Sequence, residues 1–183
     1  MHRVIMSDHA MIAYATCVVA LLAALPSLRQ RRWAQAVRVA SAVLLAGGIL
    51  TVLSTTLTGT SAPTSRVNLV PGASIRETFT ADYRNALENT VGNIALFLPL
   101  GFFGTIVTRW GVARVTLVGA AFSAFIETTQ LVLGERWVDI DDVILNTGGA
   151  FLGALAAVTA IRLVAMRDQQ VSRQREDDPL RDP

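Results

Sequence analysis

Lysine is absent from the chain: all sixteen basic residues are arginine. A bias that complete fits codon usage as well as chemistry, so it carries no functional weight. Cysteine is nearly absent too, and Cys17 alone excludes an intrachain disulfide or a cysteine-based metal site. The two histidines, His2 and His9, lie at the extreme N-terminus, and no nucleophile motif is recognisable. Charge is scarce at 16%, while 52% of residues are hydrophobic. That balance excludes an average soluble domain.

What is present is a series of apolar runs. Five stretch over about 9–28, 37–57, 91–108, 115–133 and 143–165. Each is long enough to cross a hydrocarbon core of roughly 30 Å. Backbone polar groups in lipid must be satisfied within the segment, so helices are expected. The predicted fold is an all-α polytopic membrane bundle of about five transmembrane helices. The first run is longer than a usual signal core and its arginines follow it, so it reads as a retained anchor rather than a cleaved leader. Pro99 removes one ladder bond and should kink the third span.

Arginine counts set the expected orientation. Eleven lie in one set of loops with the C-terminal end, and five in the other. The excess marks the cytoplasmic side, which puts the N-terminus outside and the C-terminus in the cytoplasm of a multi-pass plasma (inner) membrane protein. The outer connection, 58–88, contains Ser74-Ile75-Arg76-Glu77, a capping-box pattern. Ile75, Phe79, Tyr83 and Leu87 then recur every four residues. This predicts a short outer amphipathic helix over 74–88, either a roof or a plain loop closure. Residues 167–183 are polar and are expected to be a disordered cytoplasmic tail. The expected division is therefore 1–57, two membrane helices; 58–166, the outer loop with three more; and 167–183, the tail.

One residue stands out from the apolar pattern. Glu127 lies inside the fourth run, where an ionised carboxylate costs several kcal/mol unless it faces protein or water. Gln130 is its i+3 neighbour, and Arg136 and Asp139 follow in the turn. Asp142 and Asn146, four apart, open the fifth run, and Asn85, Asn89 and Asn93 share a face if helix extends that far. All belong to the same expected side of the bilayer. Simpler roles exist for each. Asp139 and Asp142 suit a helix N-terminus, Asp141 suits solvent, and Arg136 suits Glu135 or lipid headgroups. Asn93, Gln130 and Asn146 suit interhelical hydrogen bonding. Gly149 and Gly153 form a GxxxG pair fitted to close intrachain packing.

Asn93-Ile94-Ala95-Leu96-Phe97-Leu98-Pro99-Leu100-Gly101 resembles the central motif of VanZ-like membrane proteins. So do Ile126-Glu127-Thr128-Thr129-Gln130, Arg136, the Asp139–Asp142 run and Asn146-Thr147-Gly148-Gly149. Asn68-Leu69-Val70-Pro71 is similar to an upstream element of that family. The resemblance covers about 68–158. It implies a small integral membrane protein of the cell envelope, in a family whose founder is linked to resistance to the lipoglycopeptide teicoplanin.

Three functional expectations follow, in descending order. The first is a pocket of Asn93, Glu127, Gln130, Arg136, Asp139, Asp142 and Asn146 that binds a lipid-linked cell-wall intermediate or a lipoglycopeptide headgroup. The second is an intramembrane enzyme acting on an envelope lipid through Glu127 and Asp139 or Asp142, with a cation held by Asp139, Asp142 and Asn146. The third is a transporter, for which no inverted repeat is visible. Whether a reaction is catalysed stays open. No metal site is assigned and no cofactor is indicated. The expected partner is the lipid bilayer, not nucleic acid.

Overall fold

The computed structural model describes residues 16–17, 19–20, 22–24, 32–57, 67–133 and 138–176. Its long helices are α1 (Trp33–Leu57), α3 (Tyr83–Thr108), α4 (Val112–Leu133) and α5 (Ile140–Glu176). Between α1 and α3 lie a two-residue strand β1 (Val67–Asn68) and a nine-residue helix α2 (Ala73–Ala81). A second short strand, β2 (Val138–Asp139), precedes α5. Most of the first expected span lies outside the described residues. Those described within it are helical, with Ala20 and Ala24 buried.

All four long helices have the length and composition to cross a membrane. Their outward surfaces are apolar: Leu117, Phe125, Val132 and Leu163 are each more than half exposed. Water would penalise such a surface, whereas lipid tolerates it. The interior is small and tightly set. Val52 of α1, Phe97 and Leu100 of α3, Ile126 of α4 and Ala150 of α5 form the buried cluster. Phe97 meets Phe122 at a ring-centroid distance of 6.0 Å.

Helices α3 and α5 are the central pair, with α1 against α3 and α4 against α5. The approach of α5 to α3 depends on absent side chains. A Cβ on Gly149 would run into the Ile94 carbonyl, and one on Gly153 into the Leu98 carbonyl. The GxxxG pair thus packs within the chain, one α3 turn per glycine. Helix α3 continues through Pro99.

Three expectations change. The amphipathic helix over 74–88 is two helices, because Asp82 interrupts it. Asp82 is extended, and its side chain accepts hydrogen bonds from the backbone N–H groups of Arg84 and Asn85. It therefore starts α3 eight residues before the predicted span. The four-residue recurrence crosses this break, and Phe79 and Tyr83 still meet edge-to-face at 5.5 Å. The Ser74–Glu77 capping box does not cap α2. The N-cap is Gly72, in the left-handed region at φ 80°, with no side-chain bond of its own. Finally, the start of the tail expected to be disordered is helical, since α5 continues to Glu176. Residues 167–174 are exposed, so intrinsic propensity rather than packing sustains this extension. The tail beyond Glu176 lies outside the described residues.

Candidate functional site

The carboxylate end of the bundle is assembled from three distant pieces of chain. Strands β1 and β2 pair in parallel, Val67 with Val138 and Asn68 with Asp139. Two-residue strands leave no periodicity in sequence, so this bridge was not legible there. It places the start of α2 over the start of α5.

Asp141 fixes that placement. It is 2% exposed, and the expectation that it is solvated is wrong. One carboxylate oxygen accepts from Gly72 N at 2.6 Å; the other accepts from Ser74 N at 3.1 Å and Ile75 N at 3.2 Å. These are the orphan donors of the first turn of α2. A buried carboxylate is tolerable here because three N–H groups and the positive end of α2 meet it.

Asp139 caps α5, as its chemistry suggested. Its Oδ1 accepts from Asp141 N at 3.0 Å and from Asn68 Nδ2 at 3.2 Å. Asn68 also donates to Ser74 Oγ at 2.8 Å and accepts from Val70 N at 3.1 Å. Asn68 is thus the joint between β1, α2 and α5. Sequence reasoning quoted it only within a motif and gave it no role.

Glu127 is 7% exposed and Gln130 4%, both buried near the end of α4. Glu127 Oε2 accepts from the backbone N–H of Asp139 at 3.1 Å. The intramembrane acid therefore faces protein and ties α4 to β2. Asp142 accepts from Asn93 Nδ2 at 2.6 Å, joining α5 to α3. Asn146 donates to Ser123 Oγ at 2.9 Å, joining α5 to α4, while its Oδ1 is buried with no partner among the described residues. Arg136 lies outside the described residues.

The described candidate residues therefore gather at one end of the bundle but do not line one cavity. Glu127, Gln130 and Asn146 are packed between helices. Asp139 and Asp142 border a groove of about 480 Å³ between α2, α3 and α5, whose other walls include Glu77, Asp82, Asn85 and Asn89. The predicted asparagine face is real: Asn85 and Asn89 reach the groove, and Asn93 continues the row to Asp142. Among the described residues, five carboxylates and no arginine line this space, counting Asp141. Such a wall accepts hydrogen bonds and attracts cations. Among the described residues, no group of three or more histidines, cysteines or acids is arranged to hold a metal ion. In particular, Asp142 reaches toward α3 and Asn146 toward α4, rather than to a common centre.

Apolar helices of spanning length around a buried polar joint define a multi-pass membrane protein of all-α architecture. Within that class the comparison with protein families is specific: residues 12–162 match the VanZ/LLP1 family model, and the chain belongs to that family. The match takes in the first two spans, where the sequence motifs alone gave only a likeness of character. No curated protein sequence and no solved structure matches the chain.

Proposed function

We propose that this protein binds, at the outer face of the plasma membrane, an amine- and hydroxyl-bearing headgroup of the lipid-linked or glycopeptide type. The observation that carries the reading is the groove, with its carboxylates and amides at the level where α2 roofs the bundle. Carboxylates take charge-assisted hydrogen bonds from ammonium groups, and asparagine side chains serve sugar hydroxyls and peptide amides. The volume, about 480 Å³, suits part of such a headgroup. The outward orientation rests on the arginine distribution. Here Glu127, Gln130 and Asn146 support the walls instead of touching the ligand, and Arg136 is a candidate for any phosphate that the ligand carries.

Reaction at Glu127 is the weaker reading, because its carboxylate is turned into the α4–β2 joint and does not line the groove. Binding is best tested through Glu77 and Asn89, which are exposed and line the groove. Neither side chain holds a structural hydrogen bond among the described residues. Glu77→Gln and Asn89→Ala are expected to keep the fold. Each should weaken binding of a lipoglycopeptide, or of a lipid-linked amino-sugar peptide, about tenfold, the scale of one charged or well-formed hydrogen bond. Calorimetry on the reconstituted protein reads this directly. Unchanged affinity in both variants, or no binding by the parent chain, removes the proposal.

A further inference from the structure

The opposite end of the bundle carries a second concavity with different chemistry. A groove of about 820 Å³ runs between α1, α3 and α5. Its walls are apolar, including Val37, Ile106, Val158 and Ile161, and its rim holds Arg38, Arg109 and Arg162 beside Trp110. Among the described residues, no aspartate or glutamate lines it. A further groove of about 510 Å³ shares Ala34, Arg38 and Arg109 with the first. The two arginines thus stand where two concave paths meet.

Arg109 adds an independent observation. It is the C-cap of α3 and occupies the left-handed region at φ 60°, the only described residue other than glycine to do so. Glycine is the default at such a position, and a side chain there is unfavourable for folding alone. The chain keeps an arginine where the backbone would accept a glycine more easily, and that arginine lines the groove.

We propose that this end of the bundle holds an anionic phospholipid, with its phosphate among Arg38, Arg109 and Arg162 and its acyl chains along the two grooves. Guanidinium groups pair with phosphate bidentately. Trp110 is the residue type that settles at headgroup depth. The apolar walls match hydrocarbon, which a water-soluble anion would leave uncovered. Basic pockets between helices at the cytoplasmic interface are suited to such headgroups. This site is separate from the acidic groove and does not depend on the reading given for it.

The test uses the full chain, purified from membranes into bilayer discs of phosphatidylcholine containing a minor fraction of phosphatidylglycerol. After exchange into detergent, the lipid that stays bound is identified by native mass spectrometry. About one phosphatidylglycerol per chain, enriched over its share in the disc, is expected. Arg38→Gln and Arg162→Gln should each lower retention roughly fivefold, the scale of one arginine near a phosphate. Arg109→Gly should do the same with no loss of thermal stability in phosphatidylcholine alone, which separates a lost ligand from a damaged fold. Arg114→Gln removes the same charge from α4, outside the groove, and should retain the lipid. Absence of enrichment in the parent chain overturns the proposal. So does equal retention in Arg109→Gly, equal loss in Arg114→Gln, or equal displacement by soluble glycerol phosphate.

Discussion

Asp141 shows how one side chain can organise an end of a membrane bundle. It serves three backbone donors of a helix that lies 66–69 residues earlier in the chain. Asp141→Ala strands those donors in a buried place and should destabilise the protein by about 1–3 kcal/mol. Asp141→Asn keeps an oxygen but loses the charge, and should cost less. Thermal unfolding of the purified variants reads both. An Asp141→Ala protein as stable as the parent would show that water replaces the carboxylate without loss. The adjacent aspartates differ only through their partners. In sequence, a helix N-terminus suits Asp139 and Asp142 and solvent suits Asp141, but nothing local names the partner of any of the three. The structure separates them through remote contacts with Asn68, with the first turn of α2 and with Asn93. No local pattern encodes those contacts. Glu127 was legible for the opposite reason: lipid singles out a carboxylate wherever it falls.

At the scale of elements, the α3–α5 contact rests on two glycines of α5 against α3 carbonyls. Gly153→Ala should cost about 1–3 kcal/mol through overpacking, because the neighbour is backbone and cannot turn aside. Gly148 is the control: nothing lies within 4 Å of an added Cβ. Gly148→Ala should therefore be neutral or stabilise by up to about 1 kcal/mol through helix propensity. Equal effects of the two substitutions in a denaturation series would refute the close-contact account. The long helices were legible because hydropathy runs of spanning length have few other meanings. Their ends were not. The start of α3 depends on the side chain of Asp82, and its four-residue apolar recurrence continues through the break. Strands β1 and β2 were invisible because two residues carry no period.

The whole molecule has two chemically distinct ends, one rich in carboxylates and one in arginines. The basic end shows the loop charges agreeing with the three-dimensional arrangement: Arg38, Arg109 and Arg162, from three separate regions of sequence, border one groove. The expected orientation puts that end in the cytoplasm. With Cys17 replaced by alanine, Thr80→Cys should react with a membrane-impermeant maleimide in intact cells. Ser172→Cys should react only after permeabilisation. Both positions are exposed. The reverse pattern would turn the acidic groove inward and end the case for an extracellular headgroup.

The remote capping of α2 also bears on biogenesis. Ribosomes deliver the chain from its N-terminus, so residues 73–81 leave the translation machinery well before Asp141 does. Until the last transmembrane segment inserts, the Gly72, Ser74 and Ile75 amides lack the Asp141 carboxylate, and β1 lacks its partner β2. The roof must therefore close late, after the hairpin of α4 and α5 has entered the bilayer, and an arrested nascent chain would leave it unfastened.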